Sequence, residues 1–308
     1  MNSVAISSSG DDLTARIAAF VGAGSTEITP HDEALLPQLV DYLPKGTSIY
    51  IAHPPRTEFR ELLRVAAIVE RLGFAACPHV AAREVHSEAS LRAGLNEARE
   101  LGIRQILLIA GDRKDPAGPY PSTWEILESG ITVDCAIKVI GVAGHPEGNR
   151  TIGATRLWEA LRIKQAFADR TGTEVRLVTQ FGFNPDAVDA WVRELDSKGI
   201  RLPVHVGFAG PTPLPKLIRF AMRCGIGASF NTLMKSTSAL AGMAGMATTP
   251  EEMLTGVVRG AGPDIASRIV KPHFFCFGGL METVQWMRKV RAGAFDLRPD
   301  GTRFELRR

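Results

Sequence analysis

Short apolar, strand-like runs alternate with amphipathic helical stretches along nearly the whole chain, and the alternation repeats eight times. The runs are Ser25–Thr29, Ser48–Ala52, Ala75–Val80, Gln105–Ile109, Ala136–Val142, Val175–Phe181, Pro203–Phe208 and His273–Phe277. Between them, Glu58–Leu72 carries a stripe of Phe59, Leu62, Leu63, Ala66 and Val69 and stops at Gly73. Ser90–Leu101 stops at Gly102, and Asp186–Asp196 opens after Asn184-Pro185, a cap followed by a first-turn proline. Leu214–Arg223 reads as a further helix. A strand followed by a crossover helix predicts a parallel sheet with helices outside it. Eight such units without a break in composition predict a closed (β/α)8 TIM barrel, one α/β domain over residues 1–308. Periodicity does not register closure, so an open doubly wound sheet is the alternative. An N-terminal helix is expected at Asp11–Val21, and a helical insertion at Ile226–Pro263, before the last strand.

Composition narrows the function classes. The 36 Lys+Arg and 33 Asp+Glu leave a net charge of +3, without a basic helix face, which argues against a nucleic-acid partner. No stretch reaches the ~18–20 uninterrupted apolar residues of a membrane span. The first ten residues lack the basic and apolar regions of a secretory leader. Cys77, Cys135, Cys224 and Cys276 lie far apart without metal-ligand spacing and are expected as buried thiols of a cytoplasmic protein. The oligomeric state is left open, a homo-oligomer included.

A barrel of this kind presents its chemistry where its strands end at the carboxyl side. Leu107-Leu108-Ile109-Ala110-Gly111-Asp112 is the sharpest case, a buried run ending in a glycine and a carboxylate. Asp112 is either a fixed anion for an electron-poor ring or cationic intermediate, or a loop brace. Glu27 either points into the mouth, where desolvation would raise its pKa and make it a general acid, or lies on a solvent face. Gln180, beside Phe181, suits a heteroaromatic ring or ties down a loop. His145 with Glu147 is either a cofactor-binding turn or merely a turn. His53 and His79 lack partners at metal spacing, so no metal is expected. Lys138, within an apolar strand, is either a Schiff-base nucleophile of an aldolase-type lyase or a lysine reaching solvent. GxGxxG, Walker A, GxSxG and HExxH motifs are absent.

Taken in order, these strand ends resemble the methylenetetrahydrofolate reductase family. Six elements carry the likeness over roughly residues 20–290: Thr26-Glu27 before Pro30, Pro78-His79, Gly111-Asp112 with Tyr120, His145-Pro146-Glu147, Thr179-Gln180-Phe181, and His273-Phe274-Phe275. The resemblance implies the same barrel and a flavin-mediated hydride shuttle between NADH or NADPH and the folate one-carbon unit. Glu27 would be the general acid that opens methylenetetrahydrofolate to its iminium form, and Asp112 would stabilise that cation. Gln180, Phe181 and Phe230 would bind the folate, and His79, Gly111, Asp112, Tyr120, His145, Glu147 and Lys164 would hold FAD. Three positions differ from the family pattern at flavin contacts: Ala110 stands where an arginine is usual, Ile49 replaces a polar residue on strand two, and Val142-Ala143-Gly144 lacks an aromatic. Direct hydride transfer without flavin, or a folate-binding C1-transfer protein, are therefore the alternatives.

Overall fold

The computed structural model describes residues 10–224, 226, 247–261 and 268–307. Eight parallel strands close into a barrel. They are β1 (Ser25–Ile28), β2 (Ser48–Ile51), β3 (Ala75–Ala81), β4 (Gln105–Ile109), β5 (Val139–Gly144), β6 (Glu174–Phe181), β7 (Val204–Ala209) and β10 (Ile269–Phe275). Around the ring the order is β1-β10-β7-β6-β5-β4-β3-β2. The ring is sealed by β1 against β10, which sets Ser25 opposite His273 and Thr26 opposite Phe274. Closure, which periodicity left open, is thereby decided. The outer layer includes α1 (Gly10–Gly22), α2 (Phe59–Arg71), α3 (Glu88–Glu100), α4 (Thr123–Glu128), α5 (Ile131–Asp134), α6 (Ala154–Thr171) and α7 (Pro185–Ser197). Asn184 caps α7 as expected, its Oδ1 accepting from the amides of Asp186 and Ala187.

Because side chains alternate along a strand, each strand feeds two cores. Ile49, Ile51, Val80, Ile106 and Leu108 point outward and pack with helical residues such as Leu62, Leu63, Val65, Ala66 and Val69 in one large cluster. Tyr50, Cys77, Leu107 and Val178 point inward and fill the barrel. This places Ile49 against the helices, so it is not a site position; the inward residue on strand two is Tyr50.

Two strands differ from their expected bounds by more than one residue at an end. The fifth begins at Val139, because Ala136 takes the left-handed conformation (φ +58°) and ends extended pairing there. The last begins four residues early, at Ile269, through a register shift against β7. Within the expected insertion, β9 (Ala247–Thr248) pairs with β8 (Thr212–Pro213), and α9 (Glu251–Gly260) packs on α7. Residues 227–246 and 262–267, Phe230 among them, lie outside the described residues. After β10, α10 (Leu280–Arg291) leads to a C-terminal hairpin, β11 (Phe295–Leu297) with β12 (Phe304–Leu306). Among the described residues no helix is long and apolar enough to cross a membrane.

Candidate active site

Glu27 stands at the inner wall of the carboxyl-end mouth, its side chain 21% exposed. The chain turns sharply just after it: Asp32 accepts from both the amide and the hydroxyl of Thr29, fixing the exit of β1. Two imidazoles face the carboxylate. His79 Nε2, from β3, lies 3.6 Å from Oε2, and His273 Nε2, from β10, lies 3.9 Å away. His273 is oriented from behind by Ser25, whose Oγ is 3.0 Å from Nδ1, and by the edge of Tyr50 at 4.5 Å between centroids. Burial is the largest single influence on Glu27 and pulls its pKa up. The facing His273, with the charge of both imidazoles when protonated, more than offsets it, and the carboxyl sits below its ordinary range. This corrects the expectation of a raised value: desolvation is present, but the neighbours outweigh it.

Gln180 reaches the mouth through an irregularity in β6. The register of β6 against β7 shifts between Val178 and Phe181. At that shift the Thr179 hydroxyl accepts from the Gly207 amide at 2.8 Å and donates to the Gln180 carbonyl at 2.9 Å. The bulge re-aims one side chain, a common use of such distortions beside sites. Gln180 Oε1 accepts from the amide of Phe181 at 3.1 Å. Phe181 heads an aromatic group with Phe183, Phe275 and Phe277.

A helix lies across this mouth. α8 (Leu214–Arg223) packs Leu217 and Ala221 on Phe181, with Phe220 stacked on Phe277 at 4.6 Å. At its end Arg223 forms an ion pair with Asp112, Nη2 to Oδ2 2.8 Å, the two side chains being 58% and 63% exposed. Asp112 is thus a paired anion at the rim. Next in sequence, Cys224 is pushed up to about 11, by burial first and then by the carboxylates of Asp112 and Glu27, with Gln180 as a hydrogen-bond partner. Asp112, Glu27 and Gln180 thus all act on one thiol, that of Cys224. The space left between His145, Gln180, Phe181 and Cys224 is about 10 Å³, roughly room for a single water.

The other expected positions divide. Lys164, reaching in from α6, donates to the Ala143 carbonyl at 3.2 Å, and burial lowers it to about 8. It lies near His145, which burial and the Lys164 charge bring down to about 4. Gly111 takes φ +87°, a conformation that favours glycine, and so turns the chain from β4 to Asp112. Glu147 and Tyr120 depart from the roles the resemblance implies, and Lys138 takes the second of its two readings, a lysine reaching solvent. Glu147 Oε1 accepts from the amides of Phe183 and Asn184, at 2.8 and 3.1 Å, and ties the turn after β5 to the one after β6. Tyr120 is buried in the outer core, away from the mouth. Lys138 is exposed just before β5, at the amino end of the barrel, opposite the mouth. His53 is a brace, accepting at Nδ1 from the Ala81 amide while its Nε2 lies 2.8 Å from the Thr57 carbonyl. Of the cysteines, Cys77, Cys135 and Cys276 are buried, whereas Cys224 is half-exposed at the mouth. The residues missed from sequence are His273 as a partner of Glu27, and Arg223 as the partner of Asp112. Only barrel closure and the placement of α8 bring them there.

Burial also lowers His79 to about 4 and, with the charges of Arg176 and Lys271, His205 to about 2. Unfolded histidines protonate near pH 6.5. The folded values of His79, His145 and His205 lie below that, so these groups favour the fold fully above about pH 6.5. Their contribution is withdrawn as pH falls from 6.5 through 4, because the unfolded chain then binds more protons. The urea midpoint should drop across this window, and His205→Gln should flatten the drop. A midpoint unchanged between pH 7 and 4.5 would contradict it.

The fold and the gathered side chains define a (β/α)8 barrel with an acid, an amide and imidazoles at its carboxyl-end mouth. The chain matches the methylenetetrahydrofolate reductase family over residues 38–230, more than half of its length, and belongs to that family. The match omits Glu27 and His273, which barrel closure brings beside it. Among solved structures, a mutant tryptophan synthase α-subunit from Pyrococcus furiosus is 14% identical, covering 88% of this chain and 97% of that one, with a TM-score of 0.49. Dihydropteroate synthase from Thermus thermophilus is 14% identical, covering 85% and 92%, with a TM-score of 0.43.

Proposed function

We propose that this protein is an oxidoreductase interconverting 5,10-methylenetetrahydrofolate and 5-methyltetrahydrofolate, with NADH or NADPH as the hydride partner. The observation that carries this is the grouping of Glu27, Asp112 and Gln180 at one mouth in a chain of this family. Gln180, set forward by the β6 bulge, offers the paired donor and acceptor that a pterin edge requires. Glu27, ionised at rest, relays to the folate a proton taken from the facing His273 as the imidazolidine ring opens, which leaves an iminium carbon for hydride. Its neighbour His273, backed by Ser25, is the group placed to reload it. Asp112 stabilises the cation once it is released from Arg223.

The family's flavin is the finer part of this reading. When bound, FAD carries hydride between nicotinamide and folate. His145, Lys164 and Gly111 suit such a group at the mouth. Tyr120 lies in the outer core, the Glu147 carboxylate already braces two amides, and Ala110 has no polar side chain to offer. The described residues therefore do not amount to a flavin cradle. This observation favours direct hydride transfer from nicotinamide as the second reading. The absorption spectrum of the purified protein separates the two. Bands near ~370 and ~450 nm that bleach with NAD(P)H and return with methylenetetrahydrofolate mean a flavin carrier. A colourless protein that oxidises NADH only when methylenetetrahydrofolate is present means direct transfer. A protein with neither behaviour would sink the proposal.

α8 lies against Phe181 at the mouth and its Arg223 occupies Asp112, so substrate that uses Asp112 has to displace this pair. The Arg223–Asp112 pair is exposed and contributes little to stability. Arg223→Ala should leave the melting temperature within ~2 °C while lowering the folate KM several-fold. An unchanged KM would mean that α8 is not held by this pair.

A further inference from the structure

A second cavity, of about 500 Å³, opens on the outer side of the same rim, between the start of α2, the start of α3 and the chain after β4. Its size lies within the range of small-molecule sites, roughly 300–1,000 Å³. Nothing in the proposed folate chemistry uses it. Its floor is apolar, formed by Phe59, Val80 and Leu91, and three guanidinium groups stand at its edge, Arg56, Arg60 and Arg113. Arg56 takes φ +64° and has no ion pair among the described residues. Arg60 touches Glu97 only loosely, at 3.7 Å with 86% of its side chain exposed, and Arg113 meets Glu84 at 3.4 Å. Glu58 stands at the N-cap of α2 without a side-chain capping bond.

The lining balances its charge, three arginines against Glu58, Glu84 and Glu97, which makes it a poor trap for a bare anion. An apolar floor, edge cations and a carboxylate able to accept from hydroxyls suit a larger ligand: an aromatic base, a ribose and phosphates in sequence. The cavity also adjoins the mouth. Val80 faces the outer side while His79, one residue earlier on β3, faces Glu27, so a single strand separates the two. Asp112 and Arg113 divide likewise, one pairing with α8 and the next lining the cavity.

We propose that this cavity binds the adenosine-diphosphate end of the nicotinamide dinucleotide. The base lies on Phe59 and Leu91, the ribose hydroxyls donate to Glu97, and the pyrophosphate meets Arg56, Arg60 and the first amides of α2. The nicotinamide end then passes over the rim toward the mouth. This rests on the oxidoreductase reading, but its test does not need turnover. The full-length protein is titrated calorimetrically with ADP-ribose and with its 2′-phosphate. At least one probe should bind saturably, and Arg56→Glu/Arg60→Glu should weaken it at least tenfold with the melting temperature unchanged. Arg56→Lys/Arg60→Lys should keep most of the affinity, and Glu27→Gln should keep all of it. In turnover, the charge-reversed variant should raise the dinucleotide KM at least tenfold and leave the folate KM alone. No binding of either probe, or equal binding to the charge-reversed variant, would overturn the assignment. If the probes behave as stated but no folate is reduced, the oxidoreductase reading fails and the nucleotide site stands. If folate is reduced and the arginine changes alter neither binding nor KM, the reverse holds.

Discussion

Glu27→Gln is expected to lower folate turnover by about 10²–10⁴-fold, the usual worth of a positioned acid or base. The amide matches the carboxylate in shape but has no acidic proton to give. Stability should barely change, because no contact of Glu27 with an imidazole is shorter than 3.6 Å and its side chain keeps 21% exposure. His273→Ala should show the distinct signature of a positioning group. It should reduce kcat and shift the pH profile while leaving folate KM nearly unchanged, since His273 faces Glu27 and Ser25. The decisive measurement is single-turnover reduction of methylenetetrahydrofolate by the wild type and both variants. A loss of less than tenfold in Glu27→Gln would remove Glu27 from the chemistry.

Gly207→Ala should be the most damaging small substitution at the site. A Cβ at Gly207 would lie 2.8 Å from the Phe275 ring and 2.9 Å from the Gln180 carbonyl carbon, and would press on the carbonyl oxygen of Thr179. Two of these three neighbours are backbone atoms of the β6 bulge, which the Thr179 hydroxyl holds to the Gly207 amide. They cannot rotate away as a side chain could. A loss of about 1–3 kcal/mol is expected from overpacking of this kind. Because the strain falls on the bulge, Gln180 should move with it, and the folate KM should rise more than that of the dinucleotide. Urea unfolding and the two KM values check both halves. A variant of unchanged stability would mean that the strands can separate there without cost.

Much of the site was legible in the sequence because a parallel barrel strand is simple to read. A buried run ends, and the polar residue that ends it stands at the rim. Asp112 after Leu107–Ile109 and Gln180 after Val175–Thr179 are legible on that ground. The same logic failed where a side chain's direction mattered. Ile49 and Tyr50 are neighbours on one strand, and an apolar run does not say which of two consecutive residues faces the barrel. Tyr120 failed for a related reason: a residue in a connecting loop has no periodicity to fix its direction, and its ring found the outer core. Glu147 failed because a turn carboxylate is claimed by whatever backbone amides lie nearest, here those of Phe183 and Asn184.

By itself the sequence determined the order of strands and helices, the rim at which the candidate residues stand, and the family. These are local properties, set by hydrophobic period, caps and breakers within a few residues. Tertiary structure alone decided the pairings between distant segments. Closure of β1 on β10 set His273 beside Glu27, and the seating of α8 set Arg223 on Asp112 and Cys224 over the mouth. It also decided the sign of the Glu27 shift. Desolvation can be guessed from a strand end, but the neighbours that overcome it come from strands some fifty and two hundred and fifty residues away. Electrostatics depends on distance through space, which one chain of letters does not carry.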